Sequence, residues 1–154
     1  PTALLTEAAR VLQPQGLLFA AEVFNHSLYL FPPAPYTERY WRAFNDCQRA
    51  LGGDPNVGPR LPGMALCAGL TVDRLSDVSF TLDARTRNPD QRHAMVQYWR
   101  DLLASGASAL LKGGYIDASV LPGMAQELDR LENDPEALLV YSGRTLQAHK
   151  PLPA

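Results

Sequence analysis

Cysteine is almost absent from this sequence: Cys47 and Cys67 are the only two in 154 residues. Two cysteines build no disulfide framework, and these lack the short paired spacing of a zinc site, so a reducing cytoplasm suits them. An excess of positive charge is missing too. Fourteen Lys and Arg against sixteen Asp and Glu leave a net charge of -2, which offers nothing to neutralise a phosphate backbone, and no nucleic-acid partner is expected. No apolar run reaches the roughly 18 to 20 residues that cross a bilayer, and no basic start followed by an apolar run marks a signal peptide. A soluble protein with no membrane partner is expected. His26, His93 and His149 stand far apart and none has a metal-type partner at i+3 or i+4, so no metal is expected. The sequence also contains no G-x-G; its eleven glycines punctuate turns.

What is present is enough apolar sequence, 46% of the residues, to bury the core of one domain. From Leu4 to Leu12 the apolar positions follow the spacing of a one-sided helix, which Pro14 and Gly16 stop. Leu17 to Phe24 then runs almost without polar alternation, as a strand covered on both faces does. Asn25-His26-Ser27 and the aromatic, proline-rich stretch to Pro35 read as a loop with a stiff apolar lining. Helices are expected from about Thr37 to Leu51 and from Pro59 to Gly69, and a half-exposed strand between Leu70 and Asp83. Asn88-Pro89 opens a long helix with Met95, Tyr98, Trp99, Leu102 and Leu103 in register. Gly113-Gly114 closes it, a further helix reaches Asn133, and Leu138–His149 reads as a last strand. Pro1 stands where an initiator Met is usual, and Leu4 already sits in an amphipathic pattern. A fragment of a longer protein is the resulting expectation.

Three motifs, in order, resemble the second half of the class I S-adenosylmethionine-dependent methyltransferase domain. Leu5-Thr6-Glu7-Ala8-Ala9-Arg10-Val11-Leu12-Gln13-Pro14-Gln15-Gly16 is similar to that family's L-x-E-x-x-R-V-L-K-P-G-G ahead of its fifth strand, with Gln13 and Gln15 in place of the usual Lys and first Gly. Gly53-Asp54-Pro55-Asn56-Val57-Gly58-Pro59-Arg60-Leu61-Pro62, followed by Ala68-Gly69-Leu70, is similar to the segment entering the sixth strand. Ala148-His149-Lys150-Pro151 resembles the G-R-K-P ending of many seventh strands. The resemblance implies an α/β fold, the C-terminal half of a Rossmann-like sheet (strands five to seven) with a helical insertion before the last strand. The expected organisation is one domain fragment over residues 1–154. Within it, 1–83 forms the helix-strand-helix-helix-strand part, 84–136 a helical lid, and 137–150 the final antiparallel strand. S-adenosylmethionine is the implied cofactor of the parent protein. Because the glycine-rich turn that lets backbone approach such a cofactor is missing, no cofactor-binding residue is assigned to this chain.

Glu22 interrupts an apolar strand, where a carboxylate is costly unless paired; the resemblance implies that it faces the acceptor pocket as a catalytic candidate that orients a substrate or accepts a proton, the alternative being a carboxylate that reaches solvent or caps a neighbouring helix. Asn25 and His26 follow at the strand end, where this architecture carries functional groups. His26 is a candidate general base or a surface histidine in a turn, and Asn25 a substrate-binding group. Tyr29 and Phe31, with Tyr98, Trp99 and Tyr115, are candidates for an apolar acceptor pocket, while the spacing of Tyr98 and Trp99 with Met95, Leu102 and Leu103 suits ordinary core packing. Arg39, Arg42 and Arg49 read as a solvated helix face. The leading expectation is a methyltransferase portion that shapes the pocket for a small, partly apolar acceptor. An upstream segment or a homo-oligomer would cover the open sheet edge. The rival reading is a non-catalytic α/β binding or assembly module.

Overall fold

The computed structural model describes residues 2–153; Pro1, on which the expectation of a fragment partly rests, lies outside them. Helix α1 (Thr2–Val11) buries Leu5 and Ala9. Pro14 cannot donate to a continuing helix, and the chain turns through Gln15 at φ 64° into β1 (Leu17–Phe31). Helix α2 (Pro35–Ala50) begins with proline in its first turn. A short 3-10 turn (Gly58–Arg60) leads into α3 (Leu61–Cys67), followed by β2 (Thr71–Leu82). Asn88 Oδ1 accepts the N–H groups of Asp90 and Gln91 at 2.9 and 3.2 Å and so starts α4 (Pro89–Lys112). Helix α5 (Val120–Asn133) and β3 (Leu138–His149) complete the chain.

The sheet has the order β1-β3-β2. Gln15 N–H donates to Lys150 O at 2.8 Å and Lys150 N–H to Gly16 O at 3.0 Å, so β3 ends where β1 begins. Along the other side, His149 meets Asp73, Arg144 meets Asp77 and Ser142 meets Ser79. The last strand is therefore antiparallel to both neighbours, and β1 and β2 run parallel to each other at the two edges.

Two expectations about β1 need correction. The strand continues to Phe31 instead of ending at Phe24, because the first proline is Pro32 and every amide before it can enter a ladder. Nor is it covered on both faces: Leu17 is 52% and Phe19 68% exposed. An unbroken apolar run has the same composition whether its second face meets protein or water.

The described residues form two compact units. One comprises the residues up to Ser27, Gly53–Ser79 and those from Tyr141 onward. Its core joins Leu5 and Ala9 of α1 with Leu61, Met64 and Ala65 of α3 against Leu146 and Ala148 of β3, with Leu18, Ala20 and Val72 packed at its margin. The other comprises Leu28–Gly52 and Phe80–Val140, in which α2, α4 and α5 pack pairwise. There the buried Tyr40 hydroxyl donates to Leu103 O, and burial pushes its phenol up to about 12, which keeps it a donor. Glu127 caps α2 from α5, accepting from Tyr36 N–H at 3.0 Å, Thr37 N–H at 2.7 Å and the Thr37 hydroxyl at 2.8 Å. That capping replaces the side-chain cap that Ala34 cannot supply. Among the described residues no helix is long and apolar enough to cross a membrane.

Candidate functional site

The first unit departs from regular strand geometry at the segment singled out by Glu22, Asn25 and His26. Twelve residues separate Gln15 from Ser27 on the β1 side, while eight separate their partners Lys150 and Ser142 on β3. The surplus is a bulge, and its chemistry is visible at Ser27. Its hydroxyl accepts from Ser142 N–H at 2.7 Å and donates to Phe24 O at 2.6 Å, taking a ladder position that a backbone carbonyl would otherwise fill. Two glycines admit the bend. A Cβ at Gly143 would lie 3.0 Å from Glu22 O, and one at Gly58 2.9 Å from Val23 O, closer than side chains tolerate. Bulges of this kind re-aim side chains and recur beside functional sites.

The peptide groups released by the bulge turn toward the loop after Gly53. Asn25 N–H donates to Pro55 O at 2.9 Å and His26 N–H to Asn56 Oδ1 at 2.9 Å. The Asn25 side chain is buried at 2% exposure, where its Oδ1 accepts the Tyr141 hydroxyl at 2.8 Å. His26 is exposed and Glu22 half-buried. One short segment thus presents an imidazole to solvent beside a buried, oriented carboxamide and a half-buried carboxylate. Groups of these types can hold a polar substrate atom or move a proton at it.

Tyr29, Phe31, Trp99 and Tyr115 belong to the second unit. Tyr29, Phe31 and Tyr115 expose their rings. Trp99 does not: at 1% exposure it meets Trp41 edge-on at 5.6 Å and Phe80 at 6.0 Å, surroundings that fit the packing alternative. Tyr98 lies outside it, stacked on Phe80 at 5.9 Å. Of the three helix arginines, Arg39 pairs with Asp117 at 2.9 Å and Arg49 with Asp46 at 2.7 Å. Among the described residues no three ligating side chains gather closely enough to hold a metal ion.

Ser27, Asn56 and Tyr141 were not among the residues the sequence singled out. The polar run Asn25-His26-Ser27 in a strand that proves continuous was the available signal. Its partners lie far along the chain.

No family model and no curated protein matches the chain. Among solved structures, it is similar to a Bacillus halodurans C-125 protein provisionally described as a methyltransferase, at 14% identity and a TM-score of 0.44. The match covers 99% of this chain and 58% of that one. The chain therefore spans less than two thirds of that protein, and a likeness of this degree assigns neither an activity nor a residue.

Proposed function

We propose that this chain is the acceptor-side portion of an S-adenosylmethionine-dependent methyltransferase domain, with the donor held by residues outside it. The backbone at Gln15 carries the reading. Its φ of 64° lies in the left-handed region that glycine enters freely and other L-residues enter at a cost. The family pattern has its first glycine at that position. The sequence departs from the pattern in residue type while the backbone keeps the conformation that glycine serves. The ending motif supports the same reading, because Lys150 closes this turn: its ammonium donates to Leu12 O at 2.8 Å and Arg10 O at 3.3 Å. Gln15→Gly should therefore raise the unfolding free energy by about 0.5–1 kcal/mol in urea denaturation; a loss of stability would contradict a strained turn.

The exposed Leu17 and Phe19 offer an open apolar face of β1 on which a donor-binding portion would pack. The donor's sulfonium supplies an already activated methyl group, so this chain's contribution is chiefly to place the acceptor in line and exclude water. His26 is the candidate base for a hydroxyl or amine acceptor, and Glu22 and Asn25 are candidates to orient it. Tyr29, Phe31 and Tyr115 would line an apolar pocket, with Trp99 supporting it from the core.

The test is labelled methyl transfer by the longer protein that carries this chain, offered small hydroxyl and amine acceptors. His26→Ala should lower kcat by about a hundredfold, within the usual range for a lost acid/base group, with donor binding unchanged. A longer protein that binds no S-adenosylmethionine would sink the reading.

A further inference from the structure

Beyond the residues assigned to the acceptor side, the loop after Gly53 carries an unassigned role. Pro55 O and Asn56 Oδ1 take the two N–H groups that the β1 bulge turns away from β3, those of Asn25 and His26, each at 2.9 Å. The loop is held in turn from its far side. Asp54 Oδ1 accepts Asn56 N–H at 2.9 Å, and Asp54 Oδ2 accepts the Arg60 guanidinium at 2.6 Å. Gly58 lies flush on the carbonyls of Glu22 and Val23, where even a methyl group would collide. Arg60, Asp54 and Asn56 therefore form a chain of hydrogen bonds that ends on the His26 backbone. The contacts fall on the bulge, while Leu17 and Phe19 earlier on the strand stay exposed.

We propose that Asn56 is a positioning residue: held through its backbone N–H by Asp54, which Arg60 pairs, it fixes the bulged backbone at His26 with its carboxamide oxygen and so sets the direction of the His26 imidazole. The role of that imidazole rests on the reading of the bulge as an acceptor site; the backbone anchoring does not. Two arms keep the failures apart. In this chain, without donor or acceptor, Asn56→Ala should speed amide hydrogen exchange at His26 about tenfold, as expected for a lost hydrogen bond of about 1.4 kcal/mol. Amides of α5 should keep their protection, and Asn56→Asp, which retains an acceptor oxygen, should restore the slow rate. In the longer protein, Asn56→Ala should lower kcat about tenfold with the donor KM unchanged, again rescued by Asn56→Asp.

Unchanged exchange at His26 in Asn56→Ala would overturn the proposal. So would kcat that does not move, or a loss that Asn56→Asp fails to rescue. If Asn56→Ala does not fold, Arg60→Gln serves instead, because it releases Asp54 while leaving Asn56 in place; it should raise His26 exchange by a smaller factor, and no rise would overturn the proposal. A wild-type longer protein that transfers no methyl group would remove the acceptor-site reading and the function of the strap with it, leaving the exchange result to decide whether the strap holds the bulge.

Discussion

Replacing Arg92 with leucine should lower the unfolding free energy by on the order of 4 kcal/mol. Arg92 is buried at 5% exposure, and its guanidinium serves the C-terminal end of α5. The Nη2 group donates to Leu131 O at 2.8 Å, Asp134 O at 2.6 Å and Ala137 O at 3.1 Å, and Nε to Leu131 O and Glu132 O at 3.1 and 3.0 Å. A helix end leaves its last carbonyls without intrahelical partners, and here one side chain from α4 supplies several of them. Leucine fills part of the volume and takes this donor from the carbonyls of Leu131, Glu132 and Ala137, at about 1–3 kcal/mol for each one that stays buried without another partner, while Asp134 O keeps the Ala137 N–H at 3.1 Å. Lysine restores a charge without the planar fork, so Arg92→Lys should recover only part of the loss. Urea denaturation of the three proteins checks this. A loss below about 1 kcal/mol for the leucine variant would mean that water reaches the α5 terminus and replaces the guanidinium.

Trp99→Ala should cost about 3–5 kcal/mol, the usual penalty for emptying a large aromatic site. The ring is enclosed by Trp41, Phe80 and Tyr98 at centroid distances of 5.6, 6.0 and 6.5 Å, and edge-on pairs of this kind add about 0.5–1.5 kcal/mol to area burial. The informative variant is Trp99→Phe, which keeps an aromatic edge in the same space. It should lose on the order of 2 kcal/mol of stability and leave the acceptor KM of the longer protein unchanged. A KM change without a stability change would place Trp99 against the acceptor and contradict its assignment to the core.

These two residues also mark how far the sequence could be read. The helix that carries both was legible because its signals are local: Asn88 caps it, Pro89 opens it, and apolar residues recur at helical spacing. Nothing in that pattern distinguishes Trp99, facing inward, from Tyr98, facing out, beyond a rotation of one residue. Arg92 was invisible for a different reason, since its partners on α5 and the loop after it lie about 40 residues further on, at Leu131, Glu132, Asp134 and Ala137. The cover over β1 is not legible in the sequence, because exposure of Phe19 depends on what packs above it and not on its neighbours in sequence. The candidate site was half legible. Glu22, Asn25 and His26 stood out as polar residues ending an apolar run, but the bulge that displays them depends on the Ser27 hydroxyl meeting Ser142 and on Asn56 meeting His26. The turn at Gln15 was hidden for the opposite reason: a glutamine gives no sign in the sequence of the left-handed backbone it adopts in the fold.

The measurement that bears most directly on the acceptor-side assignment is calorimetric titration of S-adenosylmethionine into this chain and into the longer protein that carries it. The donor-binding turn is absent from these residues, so the chain alone should give no heat of binding at millimolar donor, while the longer protein should bind with a dissociation constant in the micromolar range, about −8 kcal/mol. Tight binding by this chain alone would contradict the assignment.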